Sequence, residues 1–332
     1  MNSTKGDTKS HVTLSLSNAF TRFRIGILLI AIAAPLVLTA VTTQVNAADV
    51  VLQTFPVGIA PTGLAFDGAN IWVVNQYSQS VTKLRASDGA NEGTFAVGRE
   101  PQYAAYDGAN IWVTSWLDAT VTKLRASDGV VLGIFAVGDD ANQANGMVFD
   151  GAYLWIANGL ANTVTKLRPS DGVIVGTFTV GSGAMFLAFD GANIWCTNIL
   201  SDNVTKLRAS DGTLLGTFPV GDGPFGILFD GAHIWVTNTY SDYSLTELDA
   251  SDGTVLGTFP TGKLPLQIGF DGRNIWVPMS YGNGVWVFDA DDGALHDKLR
   301  IRGGPNGIVY DGHSMWVSNF NTSVVTKISR RH

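Results

Sequence analysis

Residues 189–195, Phe-Asp-Gly-Ala-Asn-Ile-Trp, recur with small changes seven times along the chain. Each copy has a Phe or Tyr, then Asp-Gly, and then a Trp five residues after the Asp. Successive copies are 40 to 43 residues apart. A fixed period of this length indicates a repeat architecture. The seven aspartates are Asp67, Asp107, Asp150, Asp190, Asp230, Asp271 and Asp311.

Each repeat contains four short β-prone runs that are separated by turn-forming residues. In the first repeat these runs are Gly63–Phe66, Asn70–Val74, Ser80–Arg85 and Gly93–Val97. A second Asp-Gly pair between the third and fourth runs predicts a tight hairpin, because Gly adopts positive φ without steric cost. Four antiparallel strands in a tandem unit of about 40 residues are typical of a β-propeller blade.

The two ends of the chain complete one blade between them. The seventh repeat stops at Ile328 after its third strand, whereas Val51–Gly58 matches the fourth-strand sequence Leu214–Gly221. The amino-terminal strand is therefore predicted to complete blade seven and to cover an edge that would otherwise be exposed. We predict an all-β, seven-bladed β-propeller of four-stranded antiparallel blades over residues 48–332. The predicted blades span about 59–98, 99–138, 139–181, 182–221, 222–262, 263–302, and 303–330 together with 49–58.

The amino terminus is typical of a secretory signal peptide. A charge-free apolar run at 25–41 follows Arg22 and Arg24, and Val45-Asn46-Ala47 offers small residues at the cleavage positions. We predict a signal peptide over 1–47 and an exported protein that is periplasmic, at the cell surface or secreted. Cleavage would leave no stable membrane insertion, whereas a retained anchor is the alternative reading of this short run.

Composition excludes several classes of protein. Only 15% of the 332 residues are charged, and three of the 28 acidic residues are Glu. Glu favours helices whereas Asp and Gly favour turns, which argues against a helical protein. The net charge of −7 argues against a nucleic-acid partner. The single cysteine, Cys196, cannot form an internal disulfide and is predicted to be a buried thiol.

The repeated sequence motifs resemble those of known propellers. Ile-Trp-Val-Thr-Asn at 234–238 and its sister segments resemble the YVTN-type surface-layer, NHL and virginiamycin B (streptogramin) lyase propellers, over about 49–330. The likeness to the lyases implies a magnesium ion held by His and Glu, with the Glu often three residues after the repeat Trp. A likeness to calcium-dependent propeller lactonases would make Asn145 and Asn306 candidate ligands. In this chain, the residues three places after the repeat Trp are Asn75, Ser115, Asn158, Asn198, Asn238, Met279 and Asn319.

The two faces of the predicted propeller differ in how much their loop sequences vary from repeat to repeat. Antiparallel strands place alternate connections on opposite faces. The connections between strands one and two, and between three and four, are nearly identical in all repeats and are interpreted as structural turns. The loops between strands two and three, and those between blades, vary and form what we call the variable face. Ligands are expected there.

Candidate ligand residues come from these loops and from the start of each innermost strand around the central funnel. Amides occupy one arc of the funnel and Met, Phe and Leu another, which suits a protein, peptide or glycan. The candidates are Tyr77, Gln102, Tyr103, Trp116, Asn145, Met185, Phe186, Phe225, Tyr240, Leu266, Gln267, Tyr281, Asn306 and Phe320.

The sequence offers little for catalysis. Gly-x-Ser-x-Gly, His-x-Glu and Cys-x-x-Cys motifs are absent, and no two His residues share a metal-ligand spacing. Asp139 and Asp140 are the best candidates for holding a cation. The repeated Lys and Arg of strand three, such as Lys83 and Arg85, are interpreted as a solvated rim.

The leading hypothesis is an exported, monomeric, non-catalytic binding propeller without a cofactor, and with no assigned catalytic or metal-ligating residue. One alternative is a streptogramin-lyase-like lyase or hydrolase with its site in the funnel, and only this enzyme would need magnesium or calcium. The other alternative is a structural component of a surface layer.

Overall fold

A computed structural model describes residues 43–45, 50–138 and 143–330 of the protein. The regular structure in these ranges is β-strand. Within them, no helix has the length and apolarity needed to span a membrane. The apolar run at 25–41, Asp139 and Asp140 lie outside the described residues.

The strands form seven antiparallel sheets, and consecutive strands are neighbours within each sheet. The first strands in the described ranges are β1 Thr43–Val45 and β2 Val50–Pro56. Blade 1 consists of β3 Pro61–Phe66, β4 Asn70–Asn75, β5 Ser80–Arg85 and β6 Asn91–Ala96. Blade 2 consists of β7 Pro101–Tyr106, β8 Asn110–Ser115, β9 Thr120–Arg125 and β10 Val131–Ala136. Blade 3 consists of β11 Ala144–Phe149, β12 Leu154–Asn158, β13 Thr163–Leu167 and β14 Ile174–Thr179.

The remaining blades follow in the same order. Blade 4 consists of β15 Ala184–Phe189, β16 Asn193–Asn198, β17 Asn203–Arg208 and β18 Leu214–Pro219. Blade 5 consists of β19 Pro224–Phe229, β20 His233–Asn238, β21 Ser244–Asp249 and β22 Val255–Pro260. Blade 6 consists of β23 Gly269–Phe270, β24 Asn274–Met279, β25 Gly284–Asp289 and β26 Leu295–Arg300. Blade 7 contains β27 Pro305–Tyr310, β28 Ser314–Asn319 and β29 Val324–Arg330.

Blade 7 is closed by the start of the chain, as predicted. β2 pairs antiparallel with β29 from Val50 opposite Arg330 to Pro56 opposite Val324. The structure adds a fifth strand that was not predicted, because β1 pairs with the outer edge of β2. β1 falls inside the segment interpreted as a signal peptide.

Each repeat Asp holds its own Trp. The buried indole N–H donates to the carboxylate at 2.7 to 2.8 Å in all seven blades. In blade 4, the other oxygen of Asp190 accepts the backbone N–H groups of Ala192 and Asn193, which is the predicted turn role. Burial raises the pKa of Asp190, but hydrogen bonds from Trp195, Asn193 and the turn outweigh it and hold the pKa below its ordinary value.

A phenylalanine on the outer strand joins six of the seven blades to the next, whereas blade 6 has Leu299 at that position. In blade 2, Phe135 stacks on Trp112 with ring centroids 5.6 Å apart. The same ring lies against Gly172 in the next blade's Asp-Gly turn, so closely that a Cβ on Gly172 would overlap it. Gly172 also has φ +74. The turn glycine is thus required for its backbone conformation and for contact between blades.

Lys83, Lys166 and Lys206 are buried and the equivalent lysines of blades 2 and 7 are half-buried, so the prediction of a solvated rim is wrong for the repeated lysines. Lys166 donates to the carbonyl of Ala209 in the next blade at 2.7 Å and lies 4.8 Å from the centroid of Trp155. Its stem is buried between blades because the carbonyl and the ring stabilise the ammonium group. The arginine prediction is confirmed, since Arg168 is exposed and pairs with Asp171 at 2.9 Å. The other lysines that contact the next blade are Lys83, Lys123, Lys206 and Lys327.

Cys196 lies fully buried in the apolar cluster between blades 3 and 4, as predicted. Burial raises the pKa of its thiol well above the usual range.

Candidate functional site

The variable face is built from two kinds of loop. Consecutive antiparallel strands put the loop between the second and third strands, and the loop to the next blade, at the same end of every sheet. The loops between second and third strands are 76–79, 116–119, 159–162, 199–202, 239–243, 280–283 and 320–323.

Most predicted residues around the axis are packed inside the ring. Asn145, Met185, Phe186, Leu266 and Gln267 are buried. The other four, Gln102, Tyr103, Phe225 and Asn306, are half-buried. The start of the innermost strands is therefore mainly a packed wall with limited surface for a ligand.

Aromatic side chains from separate blades meet near the axis. Tyr103 of blade 2 and Phe186 of blade 4 make an edge-to-face contact with centroids 5.4 Å apart. Phe186 also contacts Phe225 of blade 5 at 4.9 Å. Blade 3 carries Gly146 at the matching position, where a Cβ would lie 2.7 Å from the Phe186 ring. The glycine leaves room for these rings, and burial raises the pKa of the Tyr103 phenol.

Several polar groups beside the axis already have partners in neighbouring blades. The Asn145 amide donates to the carbonyl of Ala184 at 3.0 Å. The hydroxyl of Thr197 donates to the carbonyl of Phe225 at 2.8 Å, and that of Thr237 to Leu266 at 2.6 Å. The Asn145 bond joins the innermost strands of blades 3 and 4, whereas the two threonine bonds join a second strand to the innermost strand of the next blade.

Exposed apolar side chains recur at the second position of the loop between strands two and three. Tyr281 is 75% exposed and Tyr77 46%. Leucines occupy the same position in blades 2, 3 and 4 and are about as exposed, at 40 to 41%. We call these five side chains the apolar ring: Tyr77, Leu117, Leu160, Leu200 and Tyr281.

Sequence analysis identified the two tyrosines of the apolar ring but missed the leucines. The loop residues predicted from the sequence are all aromatic, whereas the five side chains share a position, two places after the end of the second strand. Trp116, Tyr240 and Phe320 are half-buried at the same face. Phe320 packs edge-on against Tyr77 with centroids 5.8 Å apart and so links blade 7 to blade 1.

The charged side chains near these loops mainly hold the loops in place. Arg99 pairs with Asp118 at 2.6 Å. Asp202 accepts the backbone N–H of Gly223 at 3.0 Å, and Asp242 accepts that of Asp222 at 3.2 Å. The face is consequently shaped by hydrogen bonds among its own loops.

A groove of about 600 Å³ lies at the side of the disc, where blades 7 and 1 meet. None of the predicted ligand residues lines this groove. Its walls are uncharged and include Ser78, Gln79, Thr82, Asn91 and Thr94.

The described residues do not fit a lyase-type magnesium site. The position where the lyase likeness implies a Glu is buried here, and Asn198, for example, uses its amide to bridge Asn203 and Thr205 at 2.8 and 2.9 Å. No group of three His, Cys, Asp or Glu suited to a metal occurs in the described ranges.

One unusual ionisable pair lies on the opposite face. Glu247 takes the place of the repeated lysine in blade 5, and its carboxylate lies 3.3 Å from the ring nitrogen of His233. Burial raises the pKa of Glu247, although the nearby His233 acts to lower it. Both residues belong to blade 5, so a pair within one blade stands where the repeated lysines contact the next blade, and it is remote from the apolar ring.

Comparisons with known proteins identify the fold. No protein-family model and no curated protein matches the chain. Among solved structures, a streptogramin B lyase matches with a TM-score of 0.73 and 17% identity, over 85% of this chain and 98% of that one. Hydrazine synthase of Kuenenia stuttgartiensis also matches with a TM-score of 0.73 and 17% identity, over 82% of this chain and 96% of that one. The protein thus shares the seven-bladed propeller fold with streptogramin B lyase.

Proposed function

We propose that the protein is an exported, non-catalytic binding module whose variable face binds a protein, peptide or glycan. The observation that carries the proposal is the apolar ring, five large apolar side chains exposed at one loop position in five blades. Single exposed apolar residues are ordinary, whereas a set confined to one face is typical of an interaction surface.

The chemistry of the apolar ring favours a polypeptide among these partners. Tyrosine is enriched at the energetic centres of protein interfaces. Leucine gives apolar contact area but no flat ring on which a sugar could stack. A partner that contributes its own apolar side chains would remove the three leucines from water, which is favourable by roughly 25 cal/mol per Å² buried.

The scaffold beneath the apolar ring supports binding without rearrangement. The last residue of the second strand in blade 4, Asn198, is bonded across to the third strand, two positions before Leu200. In blade 2, the pair of Arg99 and Asp118 fixes the loop that carries Leu117. Loops held in advance lose less conformational entropy on binding.

Site-specific photo-crosslinking in the producing organism tests the proposal. A photoreactive amino acid at position 281 should give adducts that are absent when it replaces His313, which is exposed on the opposite face. Combined Leu117→Ser, Leu160→Ser and Leu200→Ser substitutions should abolish the adducts, whereas Leu215→Ser on an outer strand should not. Equal labelling from positions 281 and 313 would refute the variable face as the binding surface.

Export is tested separately by sequencing the amino terminus of the protein from the producing organism. Cleavage after Ala47 predicts a chain that begins at Ala48. A chain that retains residues 25–41 in a membrane fraction would instead support an anchor.

A second candidate function, structural self-assembly, is favoured by the outer strands. Blades 2 to 5 expose aliphatic side chains on, or directly before, their edge strands, an arrangement prone to pairing between molecules. Sedimentation of the purified protein should then show assemblies that Ile134→Lys with Leu214→Lys disperses. A monomer at all concentrations would exclude this function. The exposed residues are Val130, Val131, Leu132, Ile134, Val173, Ile174, Val175, Leu214, Leu215, Val255 and Leu256.

A further inference from the structure

An asparagine at the end of the second strand bridges two hydroxyls of the third strand in several blades. In blade 3, the Asn158 amide nitrogen donates to Thr163 at 3.2 Å and to Thr165 at 2.8 Å. Blades 1 and 5 repeat the arrangement with donor distances of 2.8 to 3.2 Å. A single amide nitrogen thus lies within hydrogen-bond distance of both hydroxyls.

Blade 2 departs from this pattern. Ser115 replaces the asparagine, while Thr120 and Thr122 keep the two hydroxyl positions. Ser115 lies directly across from Thr120, and Thr122 is on the same side of the strand two residues later. The three hydroxyl oxygens are buried and have no hydrogen-bond partner among the described residues. Ile134 also replaces the outer-strand threonine that bonds Thr82 in blade 1.

Three unpaired hydroxyls on neighbouring residues are energetically costly. Leaving a buried polar group unsatisfied costs roughly 1–3 kcal/mol. The serine hydroxyl oxygen lies one bond nearer the backbone than the asparagine amide nitrogen, so the position of the bridging nitrogen is left to another polar atom. A water molecule offers two donors and two acceptors, and buried waters typically make about three hydrogen bonds.

We propose that blade 2 binds one buried water molecule, held by the hydroxyls of Ser115, Thr120 and Thr122 at the place of the amide nitrogen in its sister blades. The water joins the second strand to the third immediately below Trp116, where the chain enters the variable face. The amide oxygens of Asn158 and Asn238 also lack a partner, but the amide nitrogens there already fill the bridging position.

The sign of one stability change distinguishes a hydrated site from a dry one. Thr122→Val replaces the hydroxyl with a methyl group of similar shape. If the water is present, the substitution removes one of its ligands and should raise the unfolding equilibrium constant about fivefold to tenfold. The matched control is Thr82→Val in blade 1, where the hydroxyl accepts from Asn75 at 2.9 Å, and it should give a similar increase. An unfolding constant that is unchanged or lowered by Thr122→Val overturns the proposal.

A crystal structure at a resolution that reveals ordered waters gives a direct and independent test. The unmodified protein should show a water within hydrogen-bond distance of all three hydroxyl oxygens. In Ser115→Asn, the new amide nitrogen should replace that water, and the unfolding constant should fall. Absence of the water, with the three hydroxyls donating to backbone carbonyls instead, would overturn the proposal.

Discussion

Two glycines of blade 3 provide a matched test of how neighbouring blades fit together. Gly151 and Gly172 each follow an Asp in a turn, and both have positive φ, at +95 and +74. Their surroundings differ, because nothing lies within 4 Å of a Cβ built on Gly151, whereas a Cβ on Gly172 would overlap the ring of Phe135. Alanine at these two positions therefore separates backbone strain from crowding between blades.

The expected costs follow from these two terms. A left-handed backbone costs a non-glycine residue about 1–2 kcal/mol, and Gly151→Ala should lose only this amount. Gly172→Ala adds an overpacking term of about 1–3 kcal/mol, because Phe135 is itself confined against Trp112. We expect Gly172→Ala to lower the free energy of unfolding by about 2–5 kcal/mol in total.

Denaturant unfolding, followed by the fluorescence of the buried tryptophans, measures both variants under one set of conditions. The double variant Gly172→Ala with Phe135→Leu is the control, since a smaller side chain removes the overlap and should reduce the cost of the alanine. Equal losses for Gly151→Ala and Gly172→Ala would refute the conclusion that the second turn glycine is required by the neighbouring blade.

Further predictions concern three ionisable positions. Glu247→Lys should raise the free energy of unfolding by about 1 kcal/mol, because the new ammonium group can donate to the carbonyl of Ala290 as Lys206 does to that of Ala250. Unfolding by urea measures this free energy. An unchanged value would contradict the role of the lysines in joining blades. The lowered pKa of Asp190 means that the ionised form stabilises the fold above the unfolded pKa and that this contribution is lost as pH falls through the folded value. Asp190→Asn should therefore lower the free energy of unfolding at neutral pH and lower it progressively less below about pH 4. A loss that does not change with pH would show that only the shape of the side chain matters. Cys196 should react with a thiol reagent only after unfolding, since burial raises its pKa; rapid labelling of the native protein would show that the cluster around it opens.

The fold could be predicted because its determinants repeat. The Phe-Asp-Gly and Trp pattern recurs at a nearly constant spacing, and the segment 51–58 has the same sequence motif as the fourth strand of the other repeats. The bond from each Trp to its Asp was not predicted, since it depends on side-chain direction within a hairpin. The burial of Lys166 was missed for a similar reason, because its acceptor lies 43 residues away in another blade.

The candidate site was only partly predictable. Aromatic loop residues such as Tyr281 are conspicuous in a sequence, whereas Leu160 and Leu200 look like ordinary core residues until their loop position is known. Residues at the axis pose the opposite problem. Met185 and Phe186 were predicted to contact a ligand, and both are buried. The side chains that meet at the axis, such as Phe186 and Tyr103, come from blades that are distant in sequence, so their packing cannot be inferred from any one repeat.

The pairing of β2 with β29 also sets the order in which the protein can be completed. Val50 is among the first propeller residues to leave the ribosome, yet its partner, Arg330, is among the last. Individual blades are local hairpins that can form as they emerge, but the ring cannot close until β29 has been synthesised. If the chain crosses a membrane with its amino terminus first, the ring would remain open throughout the passage, and final folding would take place on the far side.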